Sequence, residues 1–175
     1  EEFTIKDLLT HRSGLGLGAG DLMIWPESPS FTKEEIIRNM RFLKPASSFR
    51  TKYDYDNLLY MVAGEVVAKV SGMSWEDFVE SRIMRPLGMQ NSAASITRLK
   101  DRSNVIDAHV PVNGKLVVVA KNEGDVHNSL GGIFSSVADM SKWVMMHIND
   151  GKYGDNNEKQ IISAGVHDEM WTPQT

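Results

Sequence analysis

The sequence contains no cysteine among its 175 residues. This absence excludes disulfides, thiolate metal ligands and a cysteine nucleophile together. The chain also lacks an uninterrupted apolar run approaching the ~20 residues of a membrane-spanning helix, so no such helix is predicted. Basic charge is not in excess either, because 19 Lys and Arg residues stand against 23 Asp and Glu residues, for a net charge of −4. Without a basic stripe to neutralise phosphates, a nucleic-acid partner is not expected.

The spacing of histidines typical of a metal site is missing as well. No two histidines are four residues apart, and no His-Glu-x-x-His occurs. Zinc-binding helices use such spacing to aim two imidazoles at one ion. We therefore predict no metal and no cofactor, and we interpret the five histidines as scattered surface or capping residues: His11, His109, His127, His147 and His167.

Glycine is concentrated near the start of the chain. Gly14, Gly16 and Ala19 formally fit a dinucleotide-binding fingerprint. That fingerprint has to follow a strand and open a helix, so that the helix N-terminus meets the pyrophosphate. Here it follows a predicted helix and leads into a loop containing Pro26 and Pro29. We predict a flexible connecting loop rather than a nucleotide site.

The remaining pattern is that of a globular, mainly α domain with a small β-hairpin. Hydrophobic residues make up 41% of the chain and charged residues 24%, which is typical of a folded domain. Ser and Thr caps followed by apolar residues at helical spacing predict the helices, and Asn113-Gly114 between two β-rich runs predicts the hairpin. The predicted helices cover about residues 4–10, 33–42, 58–70, 74–84, 136–148 and 163–171, and the predicted strands cover 105–112 and 115–120.

Tyr55 and Asn57 are the candidate site residues. They lie two apart, directly before the most strongly patterned helix, so both side chains are able to face one cleft. A tyrosine phenol becomes a base when nearby cations favour the phenolate, and an asparagine offers both a donor and an acceptor to an amide substrate. The alternative is structural, because Asp56 or Asn57 would also serve as a helix N-cap.

Five segments resemble the penicillin-binding-protein and β-lactamase-like serine hydrolases, among them class C β-lactamases and their peptidase and esterase relatives. They occur in the family's order and extend over most of the chain. The first resembles the family's LLTHTSGL run, and the second its F-R and Y-S-N-x-x-Y run. The segments are Leu8–Leu15, Phe49–Tyr60, Ala63–Gly72, Arg85–Met89 with its Pro-Leu-Gly-Met, and Gly131–Met140 with its Gly-Gly-x-x-Ser.

The resemblance implies a chemistry. In that family the serine of a Ser-x-x-Lys motif attacks a carbonyl carbon and forms an acyl-enzyme, which water or another acceptor resolves. By this resemblance, Tyr55 relays protons between that serine, the lysine and the leaving group, and Asn57 orients the lysine and the substrate. The implied substrates are a β-lactam, a D-amino-acid peptide or an ester, and the implied location is periplasmic or extracellular.

The resemblance also predicts which part of the fold is present. The family's Ser-x-x-Lys lies upstream of the Leu8 segment, and its Lys-Thr-Gly or His-x-Gly motif lies downstream of the Gly-Gly segment. Residues 1–175 are therefore expected to form a single partial domain, the helical lobe of the β-lactamase/transpeptidase-like α+β fold without most of the α/β lobe. The start at Glu1 and the ending at Thr175 agree with an excised middle. We expect the nucleophile motif to be missing, since Ser48 has Thr51 at its +3 position, and the isolated chain to be inactive.

Two further expectations follow from a partial domain. Apolar surface that faces the missing lobe would be exposed, which predicts self-association of the chain. The alternative to an enzyme is a non-catalytic helical binding or scaffold module derived from the same fold. A Ser-x-x-Lys in the sequence that precedes Glu1 would favour the enzyme.

Overall fold

The computed structural model describes residues 3–25, 31–121 and 124–174. Within these ranges the chain forms seven α-helices and two antiparallel strand pairs, which confirms the mainly α prediction. The helices are α1 (Ile5–Leu9), α2 (Lys33–Asn39), α3 (Asn57–Ser71), α4 (Trp75–Val79), α5 (Asn128–Gly131), α6 (Val137–Ile148) and α7 (Ala164–Trp171). The strands are β1 (Ala108–Val112), β2 (Lys115–Val119), β3 (Lys152–Tyr153) and β4 (Lys159–Gln160).

Side-chain caps begin most of these helices, as predicted. At α1 the Asp7 N–H donates to the Thr4 hydroxyl at 3.4 Å, and the Thr4 N–H donates to Asp7 Oδ2 at 2.8 Å. The same reciprocal box joins Thr32 and Glu35 at α2. Single serine caps begin α4, α6 and α7, at Ser74, Ser136 and Ser163. Each cap satisfies backbone N–H groups that the first helical turn leaves unpaired.

Helix α3 is the centre of the fold and packs against α1, α2, α4 and α5. It begins after the Asp56 cap and ends at Gly72, whose φ of 69° favours glycine. Gly64 lets α5 approach closely, because a Cβ there would lie 2.5 Å from Ser129. The apolar side predicted for this helix is only partly correct, since Val70 is 83% exposed. Neither α3 nor any other helix among the described residues has both the length and the apolar character of a membrane span.

Two hydrophobic clusters form the core. One lies between α2, α3 and the segment ahead of α2, and the other lies between α4, the turn that follows it and α6. The first contains Ile24, Ile36, Leu58 and Met61. The second contains Val79, Met84, Leu87, Met89, Ala94 and Met146. The first cluster includes Leu58 and Met61 of α3, so the segment that begins α3 is well anchored.

Several boundaries and small elements differ from the prediction. The helix predicted to run to residue 84 changes at Glu80 from α to π geometry. The helix predicted to reach residue 42 ends as a 3₁₀ turn. Strand β1 begins three residues later than predicted, while the Asn113-Gly114 turn is confirmed, with φ of 49° and 76°. Helix α5, the β3–β4 pair and the bridge between Ala93 and Phe134 were not predicted. These elements are too short to produce a periodic pattern.

Candidate active site

The segment containing Tyr55 and Asn57 lies at the start of α3, as predicted. Asp56 rather than Asn57 is the N-cap, since its Oδ1 accepts the Leu58 N–H at 2.9 Å. Asn57 is the first residue of the helix and is half-buried, while Tyr55 is 43% exposed. The structure therefore leaves Tyr55 accessible beside Asn57, on a backbone fixed by the cap.

A buried histidine lies against Tyr55. The His11 ring centroid is 4.6 Å from that of Tyr55, 5.0 Å from that of Tyr60 and 5.4 Å from that of Tyr53. The Asp56 N–H donates to His11 Nδ1 at 3.1 Å, which assigns the ring proton of the neutral imidazole to Nε2. Burial lowers the pKa of His11, so the ring is neutral at physiological pH.

The interpretation of the histidines as surface or capping residues is wrong for His11 and His167, which the structure buries. His127 is buried as well, but it occupies the N-cap position of α5. The position of His11 within the LLTH-like segment was the available signal, because that segment belongs to the same family pattern as Tyr55. Among the described residues, no group of three His, Asp or Glu side chains is placed to hold a metal ion.

The glycine-rich loop docks onto the Tyr55–Asn57 segment. The Gly18 N–H donates to the Tyr55 carbonyl oxygen at 2.9 Å. Asn57 Nδ2 donates to both carboxylate oxygens of Asp21, each at 3.1 Å. At its start the loop is fixed by Gly14, whose carbonyl accepts two backbone N–H groups. The described part of this loop is thus joined to the segment by hydrogen bonds, while Pro26 and Pro29 lie outside the described residues.

Asp56 is a buried carboxylate at the centre of this segment. Its side chain is fully buried, and Oδ2 has no hydrogen-bond partner. Burial raises the pKa of Asp56 to about 6, the Leu58 N–H opposes the rise, and the negative charge of Asp21 adds to it. Asp56 in this segment and Asp21 in the docked loop are therefore neighbouring acidic groups, and Asp56 is half protonated near pH 6.

One expectation about the nucleophile motif needs correction. The chain does contain the Ser-x-x-Lys spacing once, as Ser30-Phe31-Thr32-Lys33, downstream of the Leu8 segment rather than upstream of it. Ser30 lies outside the described residues, and Lys33 opens α2. Lys33 Nζ forms an ion pair with Glu65 Oε1 at 3.0 Å. Glu65 is eight residues beyond Asn57 on α3, a distance of about 12 Å along the helix axis. Lys33 is therefore bound away from Tyr55 and Asn57.

Comparisons with known proteins agree on one family. A family model described as Beta-lactamase matches residues 1–175. The curated unguisins hydrolase ungD' of Aspergillus campestris is 25% identical to this chain over 98% of the chain and 32% of its own length. The D-alanyl-D-alanine-carboxypeptidase/endopeptidase AmpH of Escherichia coli is 24% identical over 94% of the chain and 41% of that protein.

A solved structure extends the likeness to the fold. The octameric penicillin-binding protein homologue from Pyrococcus abyssi superimposes with a TM-score of 0.76 and 28% identity, over 98% of this chain and 39% of that one. The chain thus spans less than half the length of each of these three relatives.

Proposed function

Because the chain belongs to the beta-lactamase family and has its β-lactamase/transpeptidase-like fold, we propose that it forms the helical lobe of a serine hydrolase that cleaves amide or ester bonds. Under this proposal residues 1–175 are one partial domain that supplies one wall of the cleft. The nucleophilic serine, its lysine and the third motif come from sequence outside this chain. The name of one relative, a D-alanyl-D-alanine-carboxypeptidase/endopeptidase, supports a substrate with an amide bond.

Tyr55 and Asn57 are the residues that we assign to the reaction. The observation that carries this assignment is the exposed Tyr55 phenol beside Asn57, on a segment fixed by the Asp56 cap and the docked glycine-rich loop. In the proposed reaction the serine oxygen attacks the carbonyl carbon and forms an acyl-enzyme. The Tyr55 phenol passes the serine proton to the leaving group, and Asn57 holds the substrate amide by hydrogen bonding.

Ser30 is not proposed as the nucleophile. Its partner in the motif, Lys33, is bound to Glu65, about two helical turns from Asn57. An isolated chain is therefore expected to remain unacylated by a fluorophosphonate or a β-lactam. Mass spectrometry of the treated chain tests this expectation, and a covalent adduct on Ser30 would contradict it.

The full-length gene product provides the positive test. We expect Tyr55→Phe to slow acylation by a fluorophosphonate at least about 100-fold, the usual loss when a general acid–base group is removed. Tyr53→Phe is the matched control, because Tyr53 is also exposed and contacts the same His11 ring. It should change the rate less than about threefold, well short of the loss of a catalytic group. If the full-length protein is not acylated at all, it is a non-catalytic binding or scaffold module and not an enzyme. If Tyr55→Phe and Tyr53→Phe change the acylation rate equally, Tyr55 has no catalytic role.

A further inference from the structure

His11 holds the backbone on both sides of Tyr55. Its carbonyl oxygen accepts the Asp54 N–H at 3.1 Å, and its ring Nδ1 accepts the Asp56 N–H at 3.1 Å. The first of these N–H groups lies one residue before Tyr55, and the second lies one residue after it. A single residue, two positions beyond the end of α1, therefore fixes both ends of the short stretch of backbone that carries the phenol.

The His11 ring also packs against the Tyr55 side chain. The two ring centroids are 4.6 Å apart, and the ring planes are inclined by 35°. Tyr60 of α3 contacts the same imidazole at 5.0 Å, and its hydroxyl donates to the Leu9 carbonyl oxygen at 3.0 Å. The exposed Tyr55 ring thus rests on a buried side chain that is itself held between two elements.

The backbone conformation of His11 is uncommon for a residue with a side chain. Its φ is 54°, in the left-handed region. Residues outside the favoured regions persist where the surrounding contacts hold them, and they concentrate at functional sites. In His11 the contacts that hold this conformation are the two hydrogen bonds on either side of Tyr55.

The hydrogen bond to Asp56 requires a neutral imidazole. A neutral ring has one acceptor nitrogen, whereas an imidazolium has none. Because burial lowers the pKa of His11, the ring keeps its acceptor at physiological pH. Asp56 is fully buried, so without this acceptor its N–H would lack a partner from the solvent.

We propose that His11 is a positioning residue of the reaction, and that its Nδ1 acceptor fixes the direction in which Tyr55 presents its phenol to the serine proton and the leaving group. This inference rests on the proposed function. His11 itself transfers no proton, and Tyr55 remains the group that does. Proton transfer needs donor and acceptor within hydrogen-bond reach, so a small displacement of the Tyr55 backbone slows the reaction.

Two substitutions separate the acceptor of His11 from its ring. His11→Phe keeps a planar ring against Tyr55 and Tyr60 but has no acceptor. His11→Asn loses the ring, keeps an oxygen acceptor at the position of Nδ1, and suits the left-handed backbone. If packing alone mattered, the phenylalanine variant would be the less damaged of the two. If the acceptor matters, the order is reversed.

Acylation of the full-length gene product at increasing fluorophosphonate concentration separates the maximal rate from the half-saturating concentration. We expect His11→Phe to lower the maximal rate at least about tenfold and to change the half-saturating concentration less than about threefold, since misplacement slows the chemical step. His11→Asn should stay within about threefold of the wild type in both quantities.

His167→Phe is the matched control for loss of a buried histidine. His167 lies on α7, where it contacts His147 and accepts a hydrogen bond from Trp171. This variant should keep the maximal rate within about threefold of the wild type. Urea unfolding checks that each variant is folded. If His11→Phe does not fold, His11→Gln takes its place, because its side-chain oxygen lies one bond beyond the position of Nδ1.

A double variant tests whether His11 acts through Tyr55. In Tyr55→Phe the phenol is already absent, so adding His11→Phe should slow acylation by less than about a further threefold. A further loss as large as the one that His11→Phe causes in the wild type would show that His11 acts independently of Tyr55, and the inference is then overturned.

The remaining outcomes separate this inference from the proposed function. The inference is overturned, and the hydrolase stands, if His11→Phe keeps the wild-type maximal rate, if it changes only the half-saturating concentration, or if His11→Asn loses as much as His11→Phe. If Tyr55→Phe does not slow acylation, the assignment of Tyr55 fails and the inference fails with it. If the wild-type full-length protein is not acylated, the proposed function itself fails.

Discussion

Replacing Asp56 by asparagine should make the stability of the chain less dependent on pH. Burial raises the pKa of this carboxyl from 3.8 to about 6. In the variant the side-chain oxygen still accepts the Leu58 N–H, and asparagine is as good an N-cap as aspartate. The variant therefore keeps the helix start and removes only a titrating group.

The sign and the size of this pH dependence follow from the raised pKa of Asp56. Between about pH 4 and pH 6 the folded state holds a proton that the unfolded chain has released, so the wild-type chain loses stability as the pH rises through this window. A shift of about two units corresponds to ~3 kcal/mol at 1.36 kcal/mol per unit. The free energy of unfolding of Asp56→Asn, minus that of the wild type, should therefore rise by about 2–3 kcal/mol from pH 4 to pH 7.5. The buried His11 titrates in both proteins and cancels in this difference.

Urea unfolding followed by tryptophan fluorescence, at four pH values across that range, measures the difference. Any constant cost of placing the asparagine NH₂ where Asp56 Oδ2 has no partner shifts all four values equally and leaves the slope unchanged. Asp155→Asn, which replaces an exposed carboxylate in the turn between β3 and β4, is the matched control. The reasoning is refuted if the free energy of unfolding of Asp56→Asn, minus that of the wild type, stays constant or falls as the pH rises.

Three further predictions concern the rest of the fold. Asp7→Asn should lower the free energy of unfolding by about 2 kcal/mol at pH 7, because Asp7 accepts two charge-assisted hydrogen bonds from Arg50. Arg50 also lowers the pKa of Asp7, so urea unfolding should show this loss of stability shrinking below about pH 4. Gly14→Ala should lower the free energy of unfolding by about 2–3 kcal/mol in the same assay, because φ is 86° and the new Cβ would lie 2.6 Å from the Ser47 carbonyl oxygen. Gly72 has a similar φ but no atom within 4 Å of the new Cβ, so Gly72→Ala should lower it by only about 1 kcal/mol. The isolated chain should dimerise in sedimentation velocity runs, because large apolar side chains such as Leu22, Val137 and Trp171 are exposed, and strictly monomeric sedimentation at high concentration would contradict this.

The parts of this fold that depend only on residues close together in the sequence were predictable. The Thr4–Asp7 and Thr32–Glu35 boxes, the glycine that ends α3 and the Asn113-Gly114 turn each satisfy local backbone geometry, and the structure confirms all of them. Periodicity located the longer helices for the same reason, since 3.6-residue spacing is a property of one segment.

The surroundings of the candidate site were not predictable in this way. His11 lies 44 residues before Tyr55, and Asp21 lies 36 residues before Asn57, so no local pattern reports that they meet. The burial of His11 and the fixed geometry of the glycine-rich loop come from tertiary packing, which residue type and spacing do not encode. The Ser30–Lys33 spacing departs from the family order, and the distance of Lys33 from the site follows only from its ion pair to Glu65.

The β1–β2 hairpin has a consequence for how the molecule opens. Nearly all of its ten residues are exposed on both faces, and within the described chain its strands pair only with each other. A two-stranded ribbon without a covered face is marginally stable in water. Its amide protons should therefore exchange with solvent through local opening that leaves α3 intact, whereas the amides in the buried first turns of α3 should exchange only when the whole chain unfolds. The chain thus combines a rigid platform beneath Tyr55 and Asn57 with an outlying ribbon that opens independently of it.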